Sequence, residues 1–260
     1  MGSWSKKLGY VIPSWNTVIE YETARMAPAD TSTHYSRISH TDDSPGSLQL
    51  MTEQFPKHVE LLLHAKLDAV CYGCTGASFF AGREFDKRFV GGLADKVGKP
   101  IVSMAGALVD AATHLGMSRI AVAAPYEDWL LAKLVSYLQE AGFTVTNAVG
   151  LGQQANIVHS PEMAMDLARR GWTADSDGLI LSCGNFRTLE VIDSIENEIG
   201  KPVLTSNQCA LWSLLYSSGW RGTIQNAGRL LKELKPDSSN PIRVERTVSE
   251  SESISARERS

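Results

Sequence analysis

Short apolar and β-branched runs alternate, from Lys7 onward, with longer segments whose apolar residues recur every three or four places. That alternation is the signature of βα units laid into parallel sheets. Eight runs read as strands, at residues 8–12, 33–38, 69–73, 100–104, 119–124, 143–149, 178–182 and 202–205. Helices fill the gaps. Over 47–66, Leu48, Met51, Phe55, Val59, Leu62 and Leu63 share one face, and over 128–141 Leu130, Leu131, Leu134 and Leu138 do the same, each stripe being a surface to bury against a sheet. Pro56 is expected to kink the first of these helices because it removes a backbone donor.

The arrangement occurs twice. Gly98-Lys99-Pro100-Ile101-Val102-Ser103 recurs as Gly200-Lys201-Pro202-Val203-Leu204-Thr205, each copy preceding a helix that ends at Gly. Ala69-Val70-Cys71-Tyr72-Gly73-Cys74 has its counterpart in Gly178-Leu179-Ile180-Leu181-Ser182-Cys183, and Pro13 to Asn16 is answered by Pro125-Tyr126. Such self-similarity predicts duplicated units. The expected fold class is therefore α/β, with two pseudo-symmetric, four-stranded parallel-sheet halves: residues 1–116 carrying Cys74, and residues 117–234 carrying Cys183. A segment near 206–220 is able to pack back on the first half. From 235 to 260 the composition shifts to Ser, Glu and Arg, and a disordered tail is expected there.

A chain of 260 residues, 43% hydrophobic and 21% charged, can bury a sizeable core. Apolar runs such as 120–124 and 179–181 fall well short of the roughly 20 residues that span a bilayer, and no apolar leader opens the chain. A cytoplasmic protein is expected. With a net charge of −4 and scattered Lys and Arg there is no basic surface for a polyanion, so neither nucleic acid nor membrane is an expected partner; a homo-oligomer, dimer or tetramer, is. Gly150-x-Gly152-x-x-Ala155 has the outline of a dinucleotide loop, but Pro161 starts the next helix too late for it. Cys71-x-x-Cys74 leaves a redox or metal reading open on its own. There is no serine elbow, no phosphate loop and no ligand spacing among the six histidines, and neither cofactor nor metal is expected.

In parallel α/β sheets ligands bind beyond the carboxyl ends of the strands. Cys74 and Cys183 both fall there. Each precedes small or polar residues, 75–78 and 184–188, expected to open a helix whose free N–H groups lower a thiol pKa and bind carboxylate oxygens. A pseudo-twofold relation between the halves would turn the two cysteines toward one cleft. A lone cysteine at a strand end is most often core packing; matched positions in both halves favour function at Cys74 and Cys183, and leave Cys71 and Cys209 to the core.

Taken together, Pro13-Ser14-Trp15-Asn16-Thr17-Val18-Ile19-Glu20, Cys74-Thr75, Pro125-Tyr126 and Ser182-Cys183-Gly184-Asn185-Phe186-Arg187-Thr188-Leu189 resemble maleate cis-trans isomerase, of the aspartate/glutamate racemase superfamily, over about residues 8–220. The resemblance implies two pseudo-symmetric α/β domains, no cofactor, and a small dicarboxylate substrate held between two cysteines. Cys74 corresponds to the nucleophile and Cys183 to the acid/base, maleate passing to fumarate through a succinyl-cysteine. That chemistry requires Cys74 as thiolate and Cys183 protonated. Asn16, Tyr126 and Asn156 fall where the isomerases hold substrate carboxylates, and backbone N–H groups of Thr75, Gly76, Gly184 and Asn185 are suited to join them. Gly184 stands where the isomerases usually carry Thr, and Ser182-Cys183-Gly184 resembles the related arylmalonate decarboxylases, which lack the first cysteine. A two-cysteine racemase or a related decarboxylase of a small carboxylic acid is the alternative enzyme; a thiol redox sensor or small-acid binder is the alternative outside catalysis. His34 and Arg37 are expected to be structural, and Arg187 either assists the site or faces solvent.

Overall fold

In the computed structural model, which describes residues 4–232, the chain first runs β1 (Lys6–Pro13), α1 (Ile19–Met26), β2 (Thr31–Ile38), α2 (Pro45–Leu63), β3 (Ala69–Tyr72), α3 (Thr75–Phe80), α4 (Arg83–Val97), β4 (Ile101–Ser103) and α5 (Met104–His114). It continues through β5 (Arg119–Tyr126), α6 (Asp128–Glu140), β6 (Thr144–Gln153), α7 (Pro161–Gly171), β7 (Gly178–Leu181), α8 (Ile192–Ile199), β8 (Val203–Thr205), α9 (Ser206–Ser217) and α10 (Gly228–Lys232). The expected tail at 235–260 lies outside the described residues.

The strands form two parallel sheets of identical order, β2-β1-β3-β4 and β6-β5-β7-β8. All eight expected strands are present, and the α/β class with two four-stranded parallel sheets is as the sequence pattern implies. Helices cover both faces, so the central strands are apolar without alternation: Leu8 to Pro13 and all of β3 are buried, as parallel sheets require. Among the described residues no helix is long and apolar enough to cross a membrane.

The repeated hexapeptide is a piece of local hardware. Gly98 (φ 66°) and Gly200 (φ 72°) close α4 and α8 in the left-handed conformation, where a side chain would be strained. The Pro and a three-residue strand follow. Ser103 and Thr205 then cap the next helices: Ser103 Oγ accepts the Gly106 N–H at 3.0 Å, and Thr205 Oγ1 accepts the Gln208 N–H at 3.4 Å while the Gln208 side chain returns to the Thr205 N–H, a reciprocal capping box. The helices so started, α5 and α9, pack on one another, and α9 also reaches α1, β1, β3 and β4.

Pro56 lies inside α2, which starts from a Ser44 cap and runs on to Leu63. One local expectation changes. No helix opens after Cys183; residues 183–191 stay irregular and α8 begins at Ile192. The cause is Glu22, buried on α1, whose Oε1 accepts the N–H groups of Thr188 (2.6 Å) and Leu189 (2.8 Å) and whose Oε2 accepts Asn207 Nδ2 at 2.7 Å. Amides bound to a carboxylate from across the chain have no need of a helical turn.

Candidate active site

Cys74 leaves β3 as the N-cap residue of α3. Gly73 before it is required by close approach, because a Cβ there would stand 2.8 Å from Ile12 Cγ2 and 2.9 Å from the Val11 carbonyl oxygen. Cys183 leaves β7 in a conformation rare for a side-chain-bearing residue, φ 151°; such strain persists only where the surroundings over-determine it. Here Ser206, the first residue of α9, does so. Its Oγ accepts the Cys183 N–H at 3.0 Å and the Thr75 hydroxyl at 3.1 Å, while the Asn185 N–H points at Cys183 Sγ at 3.4 Å. Both cysteines, 7% and 4% exposed, line one pocket.

Asn16, Thr75, Gly76, Tyr126, Gly184 and Asn185 line the same pocket. Asn16 Oδ1 caps α1 through the N–H groups of Val18 and Ile19, at 3.0 and 2.9 Å, and its backbone carbonyl is held by Arg37, itself paired with Glu20. Tyr126 is buried with its hydroxyl 3.4 Å from Ser182 Oγ. The Asn185 side chain turns from the pocket to bind the Thr17 N–H and the carbonyls of Ala155 and Asn156. At Gly184 a Cβ would meet Ile19 Cδ1 at 3.0 Å, so Ile19 fills the space that a larger residue would take.

Asn156, expected on the substrate, is not in the pocket wall; its Nδ2 lies 3.5 Å from the Thr41 carbonyl. Asn185 grips the backbone there and turns Ala155 inward in its place. Arg187 pairs with Glu190 at 2.6 Å outside the pocket, and His34 bonds to Ser32. Of the wall residues outside the expected set, two bring a polar side chain. Trp15 lines the pocket with its buried Nε1 unpartnered. Asp43 does so as a carboxylate, although Asp42-Asp43-Ser44-Pro45 reads locally as no more than a helix start.

Burial dominates the electrostatics. It pushes the Cys74 thiol up to about 12, with the N–H groups of Ala77 and Gly76 pulling the other way and Asp43 adding to the rise. Cys183 is raised too, by burial, with its Asn185 N–H opposing. The six-residue α3 does not lower Cys74 as expected, since desolvation of a thiolate outweighs one short helix end. Tyr126 is driven well above its usual range by burial and stays a hydrogen-bond donor. Cys71 faces the core within β3, and all four thiols are free. Gly150 and Gly152 fall inside β6 with α7 starting only at Pro161, which is not a dinucleotide turn, and among the described residues no His/Cys/Asp/Glu cluster is placed to hold a metal.

Known proteins bear on this geometry. A maleate isomerase from Geobacillus stearothermophilus is 27% identical over 242 residues, covering 86% of this chain and 96% of its own. An arylmalonate decarboxylase from Bordetella bronchiseptica is 26% identical over 217 residues, covering 82% and 90%. Among solved structures, a cysteine-to-serine mutant of Nocardia farcinica maleate cis-trans isomerase with a covalently bound succinylcysteine intermediate superposes with a TM-score of 0.82 at 28% identity, covering 87% of this chain and 98% of that one. The expected enzyme class, isomerase, accords with the maleate isomerases among these relatives. The family model for arylmalonate decarboxylase matches residues 9–231, and the chain belongs to the arylmalonate decarboxylase family.

Proposed function

We propose that the protein is a cofactor-independent cis–trans isomerase of maleate, with Cys74 as nucleophile and Cys183 as proton donor. The observation that carries the reading is the pair of buried thiols, one from each sheet, lining a single small pocket with amide and hydroxyl donors. The succinylcysteine held by the Nocardia relative supports it by analogy. The Cys74 thiolate adds to one alkene carbon as the π pair moves to the other, which takes the proton of Cys183. The central bond of the resulting thioether is single and rotates. Elimination then returns the proton to Cys183 and the electron pair to Cys74, releasing fumarate with no net change in protons or electrons. Asn16, Tyr126 and the amides of Thr75, Gly76 and Gly184 are the groups suited to hold the carboxylates and the enolate-like charge, which is where preorganised donors contribute most.

Proton NMR of the enzyme with maleate in deuterated buffer tests this. Fumarate is expected from the wild type, none from Cys74→Ala, and a trace from Cys183→Ser, because a hydroxyl is the poorer acid. Full activity in either variant sinks the assignment. The family model and Gly184 favour one second reading, decarboxylation of an arylmalonate; carbon dioxide released at equal rates by wild type and Cys74→Ala would establish it instead.

A further inference from the structure

Asp43 is 6% exposed and sits in the loop between β2 and α2, on the wall of the thiol pocket. Its Oδ2 accepts the Ala155 N–H in a short hydrogen bond. Its Oδ1 accepts none from the described residues, the nearest cationic candidate being His40 Nε2 at 3.8 Å. His40 is itself buried, with Nδ1 on Ser47 Oγ at 3.0 Å and Nε2 without a hydrogen bond. The carboxylate is close enough that its field favours the protonated forms of Cys74, Cys183 and the Tyr126 hydroxyl alike. Beyond it a wider outer recess, lined also by Glu127, Trp129 and Gln154, opens on the same residue. No Lys or Arg lines either space.

A doubly charged substrate in this pocket meets a half-satisfied carboxylate and no compensating cation, a repulsion that a low-dielectric wall strengthens. An N–H donor in the same place meets a carboxylate oxygen that no donor of the described residues occupies, and a hydrogen bond to a charged acceptor is among the stronger ones. We propose that Asp43 is the specificity-determining residue of this site and selects a cis-2-ene monocarboxylate whose far end is an amide, in preference to a dicarboxylate. The inference rests on the two-cysteine isomerase reading, and under it maleate becomes the slower of two substrates. The bond changes are unaltered: Cys74 adds, Cys183 protonates, the single bond rotates and elimination follows. The amide carbonyl replaces one carboxylate, and its N–H faces Asp43 Oδ1.

The probes are maleate and its monoamide, maleamate, assayed on the same enzyme sample so that the ratio does not depend on the folded fraction. Wild type is expected to favour maleamate at least about tenfold in kcat/KM, and Asp43→Asn, which offers a donor in place of the charge, to shift the ratio at least about tenfold toward maleate. A second readout needs no turnover: each acid is scored for protecting Cys74 from alkylation by iodoacetamide, in both proteins. Selective protection by maleamate that Asp43→Asn abolishes, with no turnover of either acid, would sink the isomerase reading and leave Asp43 as the selector. Equal use of or protection by the two acids, or a ratio that Asp43→Asn does not move, overturns the proposal.

Discussion

Cys74 is buried, close to two backbone amides and close to a carboxylate, and the first of these effects wins. With its thiol pushed up to about 12, the reactive thiolate is a minor species at neutral pH, and its fraction rises with pH. For an isomerase that depends on it, kcat/KM should climb about tenfold per pH unit between about pH 7 and pH 9. Cys183, raised as well, stays protonated over that range and does not bend the profile. A plateau by about pH 8, read from initial rates, would mean that the free enzyme holds Cys74 ionised and that the desolvation argument fails. The ordinary sequence signal for a reactive cysteine, a polar stretch opening a helix, pointed to two residues that share one pocket, but for an incomplete reason. What the local sequence cannot carry is how dry the sulfur becomes once two sheets close over it.

The strands and the long helices were legible because each is decided by neighbours in sequence: apolar runs for β1, β3, β5 and β7, three-and-four spacing for α2 and α6, and the Gly-Lys-Pro hexapeptide for the α4–β4–α5 and α8–β8–α9 passages. The segment after Cys183 was misread as a helix opening because its decisive partner, Glu22, lies more than 160 residues away in sequence. Asp43 was missed for the same reason, its partner Ala155 being in the other sheet's loop. Glu22 therefore becomes a test of how the Cys183 loop is held. Burial raises its pKa against the pull of three hydrogen bonds, and Glu22→Ala would leave the Thr188 and Leu189 amides unpaired in the interior. A loss of about 2–4 kcal/mol in urea unfolding is expected, together with faster alkylation of Cys183. Unchanged stability would show that the loop keeps its shape without the carboxylate.

Contacts between the two sheets are made by side chains as well as by α5 and α9. Asp86 on α4 accepts hydroxyls from Ser103 at the end of β4 and from Tyr137 on α6, both at 2.6 Å and both at its Oδ2, and Oδ1 is buried without a partner. Burial raises its pKa to about 6 despite those bonds. The folded protein thus keeps a proton that the unfolded chain releases near pH 4, so the stability Asp86 contributes is present at low pH and lost as pH rises through about 6. Asp86→Asn, neutral throughout, should match the wild type near pH 4 and exceed it by up to about 3 kcal/mol at pH 7, a difference that paired thermal unfolding curves would show. A constant difference across that range would contradict the assignment. The same joints constrain motion. Ser206 holds Thr75 from one sheet's side and the Cys183 amide from the other at once, so the two halves cannot swing apart like jaws without tearing the wiring between the thiols. The segments at 39–44 and 154–160, which put Asp43 and Ala155 on the pocket wall, are cross-tied through Asp43 and Ala155 and through Thr41 and Asn156, so exchange of substrate and product is expected to break these ties rather than part the frame.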